Sequence, residues 1–380
     1  MKIRKIILII TLFFLISSSY SQEKNFILNT KEEKDIVFSF TGYIGNVILS
    51  GIDGVTANDR IVKSLIINVG KQTTGDNISQ VLFNYPDFGV GFRYTSFNYD
   101  VLESSYSLYG YFNSKYYQNK FLEVMCGLDF GLSYYTNPYH YINNPDNIFI
   151  GSNLNCYINL SSGIKFKIDD FVDITPKIIF YHSSNGTIKR PNRGTNGFSG
   201  GIEFNYHLNG RKPYKSLDTT YFFTPKNSIY FTEAVGMRSA PNKKRYFANT
   251  LQIGYKRMFN PIFGYGGGFD FMYSGAVIPE YNNPFKKVSG RSIATYGSFN
   301  IVYNRLDLHL AIGYYLYKPH HNLYTPIYER VGLKYMLGHN LNHSVGIMMK
   351  VHFGAIDYIE WAYSFNFINW NDKKPKPINK

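Results

Sequence analysis

A long apolar run is the first thing missing from this chain. After residue 21 no stretch of about 18 consecutive apolar residues occurs, so no transmembrane helix is expected. Charge is scarce as well. Asp, Glu, Lys and Arg make up 17% of the residues, where a soluble domain carries about 25%. Cysteine is nearly absent, with only Cys126 and Cys156 among 380 residues. Neither lies near the N-terminal segment, which argues against a lipoprotein anchor. Both share strand parity with apolar neighbours, so two inert lipid-facing thiols are expected. A disulfide across a hairpin is the alternative in an oxidising compartment.

Aromatic residues, by contrast, are abundant: 35 Tyr and 31 Phe, beside 33 Gly. Such a composition with weak mean hydropathy fits a β-barrel whose residues alternate between lipid and lumen. A secreted, soluble all-β protein is the competing class. The N-terminus points to export. Lys2, Arg4 and Lys5 precede an eleven-residue apolar core, Ile6 to Ile16, and Ser17 to Ser21 offer small residues for cleavage before Gln22. A signal peptide is therefore expected over 1–21. The formal charge is +14, and removing Lys2, Arg4 and Lys5 leaves 37 basic against 26 acidic residues, or +11. For an exported barrel this matches anionic lipid headgroups and not nucleic acid.

The mature chain has a period of two. In Leu306-Asp307-Leu308-His309-Leu310-Ala311-Ile312 the even positions are apolar and the odd ones small or polar. Ile359, Trp361, Tyr363, Phe365 and Phe367 likewise share one face, opposite Tyr358, Glu360, Ala362, Ser364 and Asn366. Segments of this kind predict strands near 36–47, 61–71, 87–97, 103–115, 120–135, 149–166, 171–184 and 197–208. Eight more follow near 227–239, 245–258, 263–274, 291–303, 306–318, 324–338, 342–353 and 357–369. The expectation is a bacterial outer-membrane, antiparallel transmembrane β-barrel of about sixteen strands over 22–370, with 371–380 a basic, disordered tail. Short turns alternate with long loops from the fifth strand onward, which puts the 185–196 loop on the extracellular side; the long 209–226 connection breaks that alternation.

One stretch carries candidate chemistry: Tyr181-His182-Ser183-Ser184-Asn185-Gly186-Thr187-Ile188-Lys189-Arg190-Pro191-Asn192-Arg193-Gly194-Thr195-Asn196. His182 and Ser184 continue the lipid-facing row of Ile174, Ile178 and Phe180, and residues two apart on a strand have neighbouring side chains. An imidazole so placed can take a hydroxyl proton and activate a serine nucleophile. Asn196 has the lipid-facing parity of Phe198 and Ile202. Antiparallel pairing across the loop brings it beside His182, where its amide oxygen can orient the ring. A His and a Ser resting at headgroup level is the plain structural alternative.

In combination these residues resemble the outer-membrane lipid A deacylases, the PagL-like or acyloxyacyl hydrolase family. The family pattern is roughly His-x-Ser-Asn followed by Gly or Ala, then Pro-Asn-x-Gly-x and an acidic or Asn residue. His182, Ser184, Asn185, Gly186, Pro191, Asn192, Gly194 and Asn196 meet it. The resemblance runs over about 36–208, which holds eight strands, as in compact members; 209–370 is additional barrel, similar to that of longer Bacteroidetes-type relatives. It implies hydrolysis of an O-linked acyl chain of lipid A or lipopolysaccharide, with Ser184 as nucleophile and His182 as general base. Asn192, and Asn185 or a nearby backbone N–H, would stabilise the oxyanion. Lys189, Arg190 and Arg193 lie where a lipid A phosphate would sit, or else form a solvated basic loop. No cofactor or metal is implied. Compact members carry Glu where this chain has Asn196, although outer-membrane phospholipase A is similar in using Ser, His and Asn. Glu203 is the nearest carboxylate downstream, but its parity points into the lumen.

Other patterns point elsewhere. Gly197-Phe198-Ser199-Gly200-Gly201 matches G-x-S-x-G but reads as continuous strand, without the strand-to-helix turn of a nucleophile elbow. Gly264 and Gly266 to Gly268 read as strand glycines, not a phosphate loop. His320-His321 and His339 with His343 lack the companions of a zinc site. Against an esterase stands a non-catalytic barrel or porin-like channel, which a sixteen-stranded lumen would favour. A phospholipase A-like esterase is a further alternative.

Overall fold

A computed structural model describes residues 36–49, 56–186, 188–215, 222–240, 244–280, 289–318, 325–352, 355–372 and 376–377. The expected signal peptide and the pair His320-His321 lie outside the described residues. Sixteen strands are antiparallel, as their alternation requires, but they close into two rings of eight and not into one ring of sixteen. The first ring comprises β1 (Ile36–Val47), β2 (Ile61–Gln72), β3 (Asp87–Phe97), β4 (Ser104–Gln118), β5 (Leu122–Tyr135), β6 (Leu154–Lys167), β7 (Val172–Ser184) and β8 (Thr195–His207). It closes by pairing β1 with β8. After the two-residue β9 (Phe222–Phe223), the second ring runs through β10 (Lys226–Ser239), β11 (Arg245–Met258), β12 (Phe263–Ser274), β13 (Arg291–Tyr303), β14 (Leu306–Tyr317), β15 (Ile327–Leu337), β16 (His343–His352) and β17 (Ala355–Asn371). It closes by pairing β10 with β17.

Both rings are built inside out. Ile178, Phe180, Leu160 and Phe198 are exposed on the outer face of the first, and Ile312, Tyr314 and Trp361 on that of the second. The buried residues are largely polar. An eight-stranded ring is just wide enough for side chains to fill its interior, and here they do. In the first barrel Arg93 donates to Tyr157 Oη at 3.0 Å and to Ser64 Oγ at 2.9 Å, with its guanidinium 4.3 Å from the Tyr181 ring centroid. Asp87 pairs with Lys115 at 2.6 Å and Lys165 at 2.9 Å. In the second, buried Arg330 pairs with Glu360 and lies 3.4 Å from Asp270, whose carboxylate also accepts from Tyr328. Removing one partner would leave a buried charge uncompensated, so each network holds its lumen shut.

The long 209–226 connection has a structural reason to break the loop alternation. Tyr214 accepts from Gln72 Nε2 and donates to Glu123, both at 2.6 Å, and the Lys215 N–H donates to Thr74 O at 2.8 Å. Tyr214 and Lys215 thus pack across one mouth of the first barrel. At that same end, Tyr303 of the second barrel stacks edge-on with Phe83 and Phe112 of the first, with ring centroids 5.3 and 5.1 Å apart.

Several expectations need correction. The sixth strand begins at Leu154 and not near 149, because Phe149 and Ile150 are buried loop residues. Of the two readings of the cysteines only the disulfide falls: Cys126 pairs in register with Ser162 and Cys156 with Leu132, so the two thiols do not face each other, and both are free. The tail is not uniformly disordered: Asp372 pairs with Arg257 at 2.7 Å, and Lys376–Pro377 forms β18 against β9.

Candidate active site

The site forms where β7 and β8 meet the loop between them. Along β7, Tyr181 and Ser183 point into the lumen, which turns His182 and Ser184 outward. In register His182 pairs with Asn196 on β8 and with Ile158 on β6. Backbone pairing alone therefore delivers the three side chains to one patch. His182 Nδ1 lies 2.8 Å from Asn196 Oδ1, and His182 Nε2 lies 2.9 Å from Ser184 Oγ.

These contacts select a tautomer. An amide oxygen only accepts, so Nδ1 carries the proton and donates to Asn196. Nε2 is then left with its lone pair aimed at the serine hydroxyl, as a general base requires. Asn196 is itself held by the residue that follows β1, since its carbonyl accepts from the Ile48 N–H at 2.7 Å.

Glycine is needed at two points of the loop. Gly194 has φ +74°, and a Cβ there would stand 2.8 Å from His182 Cε1 and 2.9 Å from Ser183 O. Only a glycine lets the backbone close over the imidazole in that conformation. Gly186 has φ +59° and turns the chain directly after Ser184 and Asn185.

Asn185 organises the loop. Its side-chain amide donates to Ser152 Oγ at 2.9 Å and to Lys189 O at 2.8 Å, while its backbone N–H donates to Asn192 Oδ1 at 3.0 Å. Its side-chain hydrogens are thus both engaged, one by the preceding β5–β6 loop and one within its own loop. The amide group of Asn192 rests against the peptide unit that follows Ser184, with its oxygen held and its nitrogen oriented by that bond. Lys189, Arg190 and Arg193 are exposed on the loop. Glu203 is elsewhere: it pairs with Thr175 in register and binds Lys177 at 3.0 Å inside the barrel.

Sequence reasoning missed the second loop that supports the site. Phe149 O accepts from the Gly194 N–H at 2.9 Å, and a Cβ on Gly151 would meet Pro191 O at 2.3 Å. This loop helps bury Ser184, which is 4% exposed. Reading 149–153 as strand hid the role of Ser152; the Gly151-Ser152-Asn153 turn residues were the available signal.

The remaining patterns fall outside the site. Ser199 lies in mid-β8, buried in the lumen. Gly264 and Gly266 to Gly268 lie within β12, where a Cβ on Gly266 would meet Tyr255 O at 2.1 Å. His343 bonds Tyr363 at 2.8 Å. Among the described residues no group of three or more His, Cys, Asp or Glu side chains is placed to hold a metal.

Two family models match the chain in succession. Lipid A 3-O-deacylase (PagL) matches residues 67–208, and the C-terminal domain of acyloxyacyl hydrolase matches 216–370. The chain belongs to the PagL family. The gap between the two matches falls in the connection between the barrels, so each model corresponds to one ring. This is a family of outer-membrane hydrolases that act on lipid A. Among solved structures, the outer membrane enzyme PagL is 17% identical, covering 43% of this chain and 97% of its own, with a TM-score of 0.33. Neisserial surface protein A (NspA) is 10% identical, covering 46% and 97%, with a TM-score of 0.32. No curated protein sequence matches the chain.

Proposed function

We propose that this protein hydrolyses an O-linked acyl chain of lipid A or lipopolysaccharide by a serine-histidine mechanism, at a lipid-facing site on the extracellular rim of its first barrel. The observation that carries the reading is the line Ser184–His182–Asn196, with its two contacts of 2.9 and 2.8 Å, on the outer face of a strand. A structural rim His needs neither a hydroxyl on one nitrogen nor an acceptor on the other.

In this mechanism Nε2 of His182 takes the hydroxyl proton as Ser184 Oγ attacks the ester carbonyl. Asn196 holds the imidazolium by its Nδ1–H. The Asn192 amide nitrogen, oriented by the Asn185 N–H, is the best candidate donor to the oxyanion. Collapse of the intermediate breaks the bond to the sugar oxygen, which leaves with the proton from His182. Water, deprotonated by the same nitrogen, then releases the fatty acid from Ser184. Lys189, Arg190 and Arg193 are placed to meet the phosphates of a substrate whose acyl chains remain in the leaflet.

The site lies in the face that a lipid substrate reaches by diffusing in the membrane. The filled lumens of two eight-stranded rings speak against the porin-like alternative. The test is mass spectrometry of lipid A exposed to purified, folded protein. Wild type should release a fatty acid, and Ser184→Ala and His182→Ala should each lower the rate on the order of 10⁴-fold. Cleavage of phospholipid and not lipid A would favour the phospholipase A-like reading, and no Ser184-dependent cleavage of either would end the esterase reading.

A further inference from the structure

The second barrel reaches the site. Gly186, two residues beyond Ser184, faces β17 so closely that a Cβ on it would stand 2.7 Å from Ile359 Cδ1, 3.1 Å from Ile359 Cγ1 and 3.7 Å from Ile356 Cγ2. Ile359 belongs to the outward row of β17. Strict alternation would turn Ile356 inward, but the register of β16 on β17 shifts there. Lys350 pairs with Tyr358 and Val351 with Ile356, leaving Asp357 as the extra residue of a bulge. Asp357 binds Arg238 at 2.6 Å, and the bulge sets Ile356 and Ile359 on the same outer face. A bulge at a barrel rim re-aims side chains in this way.

We propose that Ile356 and Ile359 form one wall of the groove that holds the scissile acyl chain, and that Ile359 limits the chain length accepted at Ser184. The proposal rests on Ser184 as the nucleophile. A single convex barrel offers a fatty chain one surface, whereas a second barrel beside the nucleophile supplies an opposing one. The apolar surface continues along β17 to Trp361, which is 68% exposed and pairs with Val235. On the first barrel, Phe180 and Ile178 continue the outer row below His182. A chain leaving the ester toward the membrane interior thus has apolar side chains available on both barrels. Lipid tails are as apolar as Ile, so selection here comes from shape and not from transfer out of water.

The test compares p-nitrophenyl myristate with p-nitrophenyl butyrate in detergent micelles, using the full chain. Wild type, Ile359→Trp, Ile359→Ala and Ser184→Ala are assayed after heat-modifiable migration has confirmed each barrel. Added bulk in an apolar wall is poorly accommodated, so Ile359→Trp should crowd the longer chain and lower the myristate-to-butyrate ratio of kcat/KM by roughly tenfold. Ile359→Ala should raise that ratio, and decides the matter alone if the Trp variant does not fold. Ratios equal to wild type in the folded variants overturn the groove while leaving the Ser184 chemistry standing. Wild-type hydrolysis no faster than that of Ser184→Ala overturns both.

Discussion

Replacing Asn196 by Asp tests the least conventional member of the site. The two side chains are isosteric, so the acceptor 2.8 Å from His182 Nδ1 stays in place and only its charge changes. A neutral hydrogen bond contributes about 1 kcal/mol and one to a charged group about 1.5–3 kcal/mol. The extra attraction is felt mainly when His182 becomes an imidazolium, in the transition state. Two full charges at roughly 4 Å attract by about 4 kcal/mol at an effective dielectric constant of 20, which sets an upper bound. Asn196 is partly exposed, and desolvating a carboxylate opposes the gain. A net transition-state gain of about 1–2 kcal/mol remains, or roughly a five- to thirtyfold rise in kcat/KM.

The same geometry ranks the alternatives. Glu is one methylene longer and would press the ring toward Gly194, whose backbone is already so close that a Cβ would stand 2.8 Å from Cε1. Asn196→Glu should therefore gain less than Asn196→Asp, despite restoring the residue of compact relatives. Asn196→Ala should lose about five- to tenfold, the worth of one neutral hydrogen bond and the freed tautomer. The assay is kcat/KM for fatty-acid release from lipid A in mixed micelles. If folded Asn196→Asp is no faster than Asn196→Ala, Asn196 does not orient the base and the proposed mechanism fails.

Three further outcomes are expected. Gly194→Ala should cost about 1–2 kcal/mol in backbone strain and displace the imidazole, so activity falls sharply while heat-modifiable migration persists; normal activity would show that the closure over His182 is unimportant. Replacing Lys189, Arg190 and Arg193 together with Gln should weaken action on phosphorylated lipid A more than on a dephosphorylated form, and equal losses would remove phosphate recognition from the reading. In planar bilayers the protein should show no porin-like conductance, since Arg93 and Arg330 and their partners fill the two lumens; large stable openings would refute that packing.

Much of the fold was legible because a period of two between lipid and lumen is a strong constraint. β7 and β8 start and stop within two residues of where alternation places them, and that parity alone turned Ser184 and His182 outward and Glu203 inward. Closure was not legible. Each strand shows the same alternation whether its ring has eight members or sixteen, and the difference rests on two pairings, β1 with β8 and β10 with β17, in place of β8 with β10 and β17 with β1. The long 209–226 connection was the available hint, as a link between closed bodies. The supporting loop was hidden for a different reason: Phe149 and Ile150 are apolar because they are buried beneath the site, and an apolar pair before a strand looks like its first residues.

Closure also decides which chemistry the molecule can support. One ring of sixteen strands leaves an aqueous lumen, and function would then be sought inside it. Two rings of eight leave no such lumen, so outward-facing polar side chains become the informative ones. In a lipid-facing row of Ile and Phe, a His and a Ser at hydrogen-bond distance from each other and from an Asn are costly to maintain unless a loop shields them. The loops around Gly151 and Gly194 provide that shield, and they leave Ser184 nearly covered. On the proposed mechanism, a substrate displaces part of that cover from the membrane side. Gly186 is the point where that cover meets the second barrel, so the two rings are coupled at the place where an acyl chain would enter.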